Sequence, residues 1–369
     1  MSARLRLTLT VSVVLMWVAA PALASTTCSF VTYGTTMRLD TDCTTDATIS
    51  IPDGVTLDGE DHTITAVDPS GGHFLGAVIA NAGNVANVRD LKIVGKLTST
   101  TCDLNNPFRG IQILDGEGSV EGTSLIGIHR GPGNSCIEGK GIVVIRAPLD
   151  GTHPNTGHVV ISDNYVKDFP NAGIQVEGDV VAKIEENDLF GGPSAAVGSG
   201  RFVIFLAYGA TGTIEGNTIQ GSFVAGGLNA NGIVITDVVN TRVSENVIRG
   251  SNFGLTVQAL CQYPGAPATT GNSVRENTVI GANIGIYLLS QAITGTVCNP
   301  HVDNNEVEEN VVTDAGGFVG IDVLPTSNGL PFTPVANRNV IEENTIKHYS
   351  VPISNGGTNT VVEENKIVP

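Results

Sequence analysis

The sequence predicts an all-β solenoid, a chain wound into about ten coils of three short strands with a row of asparagines facing inward. Three observations lead there. A six-residue phrase recurs eight times, an Ile or Val three positions before an Asn and an aliphatic two positions after it, on Asn164, Asn187, Asn217, Asn246, Asn277, Asn310, Asn344 and Asn365. Between these phrases lie a Gly and alternating apolar residues, as in Gly173-Ile174-Gln175-Val176, Gly232-Ile233-Val234-Ile235 and Gly285-Ile286-Tyr287-Leu288, which read as short strands of period two. No long window carries a 3.6-residue period, and the 45 glycines of the chain disfavour helices throughout.

Taken in order, the chain opens with Arg4 and Arg6, an apolar run from Leu7 to Ala20 and the small-residue stretch Ala22-Leu23-Ala24. This is the layout of a secretory signal over 1–24, with an apolar run too short for a membrane anchor. Residues 25–48 are expected to form an N-terminal cap and 49–369 the solenoid. Early, less regular coils keep the phase, with Val88 and Ile93 around Leu91, and Val120 and Leu125 around Thr123. Later asparagines are 21 to 34 residues apart, so the coils accept insertions of different length. At about 4.8 Å per coil, the rod is on the order of 50 Å long.

Asparagine suits the bend because its side chain tolerates left-handed backbone and can bond its own main chain. Facing inward, each carboxamide also has a donor and an acceptor for the copies above and below, as in stacked cross-β ladders.

The formal charge of −17 becomes more negative once Arg4 and Arg6 are removed. That balance argues against nucleic acid and against an anionic membrane surface, and no membrane insertion is expected. Six cysteines in an exported chain, none in a Cys-x-x-Cys pair, favour disulfides over zinc. Stacking narrows the pairings to neighbours: Cys28–Cys43, Cys102–Cys136 and Cys261–Cys298.

The inward Asn, the Gly-Ile-x-Val strands and the opening Leu57-Asp58-Gly59-Glu60-Asp61-His62-Thr63-Ile64 resemble the single-stranded right-handed parallel β-helix proteins of the pectin-lyase-like group, over roughly Ile49 to Val368. The resemblance implies that the Asn bend separates the second and third strands of a coil, and that the Gly-Ile-x-Val strand is the first. It also implies a substrate groove along the first-strand face, walled by the loops on either side. Outward residues there would be Gln112, Val143, Gln175, Phe205, Val234, Thr256, Tyr287 and Asp322, with Glu177, Thr236 and Gln258 further along the same strands; Phe205 qualifies if Val203 takes the Gly position. Inserted segments 146–157, 260–271, 290–303 and 325–338 all follow the first strand and would build the wall.

Gln175, Thr256, Gln258 and Asp322 suit sugar hydroxyls, and Phe205 and Tyr287 suit sugar stacking. The expected partner is a polysaccharide or cell-surface glycan, bound by an exported scaffold in the extracellular space or periplasm; no cofactor is required. The alternative is a polysaccharide lyase, epimerase or glycoside hydrolase in the same groove. The group's lyases use a basic side chain beside the uronate, yet the outward column holds no Lys or Arg, with Arg146 and Arg201 only at its edges. Its galacturonan hydrolases carry adjacent aspartates and a Gly-His-Gly, strings that do not occur here. A glycosidase needs two carboxyl groups roughly 5 to 9.5 Å apart, for which Glu177 and Asp237 are a nominal pair two coils apart. Catalytic candidates are Glu177, Asp322, Arg146 and His153, the last two in a loop cluster with His129, Arg130, Glu138 and Asp150 that would otherwise pin the loop through ion pairs.

The residue before the ladder Asn is acidic in seven of eight coils: Asp163, Glu186, Glu245, Glu276, Glu309, Glu343 and Glu364, with Gly216 the exception. Such a stripe can recruit Ca²⁺, with Glu245, Glu276, Glu309 and Glu343 as candidate ligands, or keep a solvated edge charged against aggregation.

Overall fold

The computed structural model describes residues 26–131, 138–149, 156–191, 201–221, 230–262, 265–266, 268–314 and 316–369. The leader expected at 1–24, and Cys136, Asp150 and His153, lie outside the described residues. No helix occurs among the described residues, and the strands form three long sheets of 11, 13 and 12 strands and a small one of 3.

Each full coil gives one strand to each long sheet. Ala172–Gly178, Val180–Glu185 and Asp188–Phe190 make one coil; Arg201–Ala207, Thr211–Glu215 and Thr218–Gln220 stack on it in parallel. The Gly-Ile-x-Val strands form the 11-stranded sheet, called the first-strand sheet below. The residues before the ladder Asn form the 13-stranded second sheet, and those after it the 12-stranded third.

Because strand side chains alternate in direction, each strand sends every second residue inward. Ile142, Ile174, Ile204, Ile233, Leu255, Ile286 and Ile321 stack in register on the first-strand sheet and are fully buried. Ile184, Ile214 and Val243 do the same on the second sheet, and Leu189, Ile219 and Ile248 on the third, so one apolar core runs along the rod. The Gly opening a first strand is there for space. A Cβ at Gly254 would overlap Val279 Cγ1 and crowd the Gly285 carbonyl oxygen, and one at Gly285 would overlap Val312 Cγ1.

The asparagines form the expected ladder. Thr123 starts it, donating to Asn164 Oδ1 from its backbone nitrogen at 3.0 Å and its hydroxyl at 2.6 Å. From Asn164 onward each Asn donates from its backbone nitrogen and Nδ2 to the Oδ1 of the next, ending at Asn365. Each Nδ2 also reaches a backbone carbonyl of the preceding coil, as Asn217 does to Ile184 at 3.0 Å. Every buried polar group at the corner is thereby paired.

One expectation at this corner is corrected. The left-handed residue is the acid before the Asn: φ is 57° at Asp163, 55° at Glu186, 58° at Glu245 and Glu276, 56° at Glu309, and 54° at Glu343 and Glu364, with Gly216 at 67°. The Asn follows the bend and closes it with hydrogen bonds. A longer side chain in this conformation costs about 1 kcal/mol, which the ladder bonds offset.

The structure adds a second ladder. Thr241 donates to Asn272 Oδ1, Asn272 Nδ2 to Asn305 Oδ1 at 2.8 Å, and Asn305 Nδ2 to Asn339 Oδ1 at 3.0 Å. It lies beside the small sheet of Thr269–Thr270, His301–Asp303 and Val335–Asn337, which turns a fourth corner in the last coils.

At the N-terminal end, Phe30–Tyr33 pairs antiparallel with Thr36–Leu39, and Cys28–Cys43 bridges at a Cα–Cα distance of 4.9 Å. Thr36–Leu39 and Cys43–Thr45 already stack on the following coil, so the sheets begin ahead of residue 49. Cys261–Cys298 is also bonded, at 5.6 Å between Cα atoms. Cys102 is disulfide-bonded; its expected partner, Cys136, is outside the described residues.

Candidate functional site

Pairing places the anticipated outward residues in one straight column: Gln112, Val143, Gln175, Phe205, Val234, Thr256, Tyr287 and Asp322. Phe205 falls in line as Val203 replaces the Gly. A second column carries Glu177, Ala207, Thr236 and Gln258, and a third Arg109, Lys140, Ala172, Phe202, Asn231 and Phe253. Along the rod, this face divides into a charged stretch, an apolar stretch and a polar, aromatic cleft.

The outward column holds no Lys or Arg, as expected, but the charged stretch adds two cations to this face from the third column. Arg109 and Lys140 precede the glycines of their strands and pair coil to coil. Arg109 Nη1 donates to Gln112 Oε1, and Gln175 Nε2 donates to Glu177 Oε1 at 2.6 Å. Burial pushes the Glu177 carboxyl up, opposed by the Gln175 bond and by the charges of Lys140 and Arg109. Burial pulls the Lys140 ammonium down, with Glu177 opposing and Arg109 assisting. Burial also lowers Arg109, whose Nε has no partner. Lys140 and Glu177 act on one another through their charges.

In the apolar stretch, Phe205 is 6% exposed and stacks on Phe202 with ring centroids 4.6 Å apart. It forms a small cluster with Ala207 and Val234, so it packs within the protein instead of presenting an open platform.

The cleft follows. Asn231, Phe253, Thr256, Gln258, Tyr287 and Gln291 line a recess of about 340 Å³ together with Phe202 and Leu289. Phe253 and Tyr287 stack at 5.6 Å with planes 16° apart. Gln258 Nε2 donates to Thr236 Oγ1 at 2.8 Å, which fixes the amide across one coil. Burial, then the charge of Asp322 one coil on, pushes the Tyr287 phenol up to about 12. Asp322 is itself raised by burial. The wall beside the cleft is pinned by Cys261–Cys298, by Thr296 Oγ1 donating to the Leu260 carbonyl at 3.0 Å, and by Val297 N donating to the Cys261 carbonyl at 2.8 Å.

Among the described residues the catalytic candidates do not converge. Glu177 and Asp322 are five coils apart in register, roughly 24 Å at the coil spacing, beyond the reach of a carboxyl pair. Asp237 accepts from the backbone nitrogens of Leu260, at 2.9 Å, and Cys261, at 3.1 Å. Burial raises it to about 6 against those bonds. Arg146 pins the loop instead, with Nη2 donating to Thr156 Oγ1 at 3.3 Å and Nε 3.9 Å from Asp179. Arg130 and Glu138 form a buried ion pair.

Glu245, Glu276, Glu309 and Glu343 line one exposed edge, and among the described residues no three His, Cys, Asp or Glu side chains are grouped to hold a metal ion. One member of the edge faces a cation: Arg242 stands 3.9 Å from Glu245.

Fold and face together define a single-stranded parallel β-helix with a lateral cleft. The chain belongs to the right-handed beta helix family, whose pattern matches residues 153–367. No curated protein matches its sequence. Among solved structures it is similar to the periplasmic alginate epimerase AlgG, at 14% identity and a TM-score of 0.56, over 88% of this chain and 77% of that one. It is also similar to the Dettilon tailspike protein gp208, at 15% identity and a TM-score of 0.53, over 90% of this chain and 60% of that one. At these identities the likeness establishes the fold.

Proposed function

We propose that this protein is an exported glycan-binding scaffold that lays a sugar chain along its first-strand face, in the cleft between Asn231 and Gln291. The lining carries the reading: an aromatic pair, Phe253 and Tyr287, flanked by uncharged amide and hydroxyl groups. Pyranose rings offer an apolar face for stacking and hydroxyls for amides, and an open recess on a rigid sheet accepts a chain without reorganisation. One structural neighbour is named for action on alginate, a polysaccharide. Disulfide bonding fits an oxidising compartment outside the cytosol, and the structurally similar AlgG is periplasmic.

The test is to pass the protein over a panel of immobilised polysaccharides while assaying the eluate for new reducing or unsaturated ends. Retention without new ends is expected; retention on none of them defeats the reading.

A second reading, a carbohydrate-active enzyme, draws on Arg109, Lys140 and Glu177. Two cations and a carboxyl on one face are a set that can hold an acidic sugar and move a proton. New ends that vanish in Glu177→Gln or Lys140→Met would establish it.

A further inference from the structure

The first-strand face continues past the cleft. Phe253 stands in a row with Ile284 and Val319 of the two following coils, and Phe318 directly precedes Val319. Phe318 and Val319 both donate from their backbone nitrogens to the Asn283 carbonyl, at 2.9 and 3.0 Å, which fixes the start of that strand against the coil before it. The Phe318 side chain is 68% exposed. A lone exposed apolar residue needs no explanation. This one, however, is within one residue of the Phe253 row and two coils further along it, roughly 10 Å at the coil spacing. On the coil between them Asn283 is exposed, and its Nδ2 donates to Asn252 Oδ1 at 2.6 Å. That bond holds the amide in place, and its carboxamide oxygen is an acceptor suited to a ligand hydroxyl. Three successive coils thus carry a ring, an amide and a ring.

We propose that this row reads the geometry of the sugar chain, and that the ligand is a neutral, β-1,4-linked glycan. This rests on the protein being a glycan binder, as proposed above, and specifies the glycan. In a β-1,4-linked pyranose chain each unit is turned over relative to the one before. Every second unit therefore shows the same face, and two units span close to two coils. One unit stacks on Phe253, the next meets Asn283 through its hydroxyls, and the third stacks on Phe318. An α-1,4-linked chain winds into a helix and leaves so straight a row. Charge decides the rest. Phe253, Tyr287, Asn283 and Phe318 bring no cation, and two acids stand beside them: Asp322 one coil past Tyr287, and Asp314, whose Oδ2 a Cβ at Gly317 would meet. Uronates are repelled there, whereas the hydroxyls of neutral sugars can donate to these acids.

Calorimetric titration of the protein with oligosaccharides tests this. Cellohexaose, mannohexaose or both should bind, the matching disaccharide about tenfold or more weakly, and maltohexaose and hexagalacturonate not at all. Phe318→Ala should weaken the hexaose about tenfold and remove most of the advantage of six units over two, with circular dichroism unchanged. Leu104→Ala, at a similarly exposed side chain in the early coils, should leave binding as it is. Preference for maltohexaose or hexagalacturonate, or hexaose binding indifferent to Phe318→Ala, would overturn this proposal while glycan binding itself stands. Retention on other polysaccharides without binding of either β-1,4-linked hexaose would do the same, and binding of no glycan would overturn both.

Discussion

Asn217 Oδ1 accepts two hydrogen bonds from Asn187, one from its backbone nitrogen at 3.0 Å and one from Nδ2 at 2.9 Å, and both residues are fully buried. Replacing Asn217 by Ala strands both donors and empties a polar slot in the core. The expected loss is about 2 to 4 kcal/mol, read as a lower urea midpoint. Asn365→Ala, at the half-open end of the same ladder, should cost less than half as much.

The acid ahead of the Asn carries the left-handed turn, so the two positions respond oppositely to glycine. Glu276 has φ 58°, and Glu276→Gly should hold or raise the melting temperature. Glu276→Val should lower stability by about 1 to 2 kcal/mol, because a branched Cβ is strained there. Asn277→Gly should be strongly destabilising. If Asn277→Gly were the tolerated change, the assignment of the bend would be wrong.

Asp237 makes stability depend on pH. Its carboxyl is raised by burial from 3.8 to about 6 in the fold. A raised carboxyl binds its proton more tightly folded than unfolded, so its contribution is complete below about pH 4 and is lost as pH rises through about 6. The difference is worth up to about 3 kcal/mol. Urea midpoints between pH 4 and 7 should therefore fall more steeply with pH in the wild type than in Asp237→Asn. Parallel slopes would contradict the burial argument.

Gly254 is needed for space, since a Cβ would overlap Val279 Cγ1. Gly254→Ala should lower stability by about 1 to 3 kcal/mol through overpacking, and Gly254→Ala with Val279→Ala should recover part of it.

The solenoid was legible because its repeat is a packing rule written in residue types: an aliphatic on each side of every Asn, and Gly wherever a strand passes close to the third sheet. The outward column follows from strand alternation on the strand that the resemblance marks as the groove face, and this makes Thr256, Gln258 and Tyr287 of the cleft legible in the sequence. Phe205 shared their phase, yet phase does not report what packs over a side chain. Arg109 and Lys140 lie outside the Gly-Ile-x-Val phrase, because their strands begin one residue before the Gly. The second ladder had a signal, an Asn five positions before Asn277, Asn310 and Asn344. Its meaning depended on a fourth corner that only the late coils make. The left-handed residue was misplaced by one because Asn is the usual occupant of that conformation, whereas here it is more useful as the group that bonds between coils.

The most direct check of the glycan-binding account is affinity electrophoresis through a gel containing a retained polysaccharide, comparing Tyr287→Ala with Tyr33→Ala. Tyr33 is 64% exposed on the N-terminal hairpin, outside the first-strand face, and serves as the control. The account predicts retardation weakened about tenfold or more in Tyr287→Ala, from lost stacking of about 1.5 kcal/mol, and unchanged in Tyr33→Ala. Equal retardation of the Tyr287→Ala and wild-type proteins would contradict it.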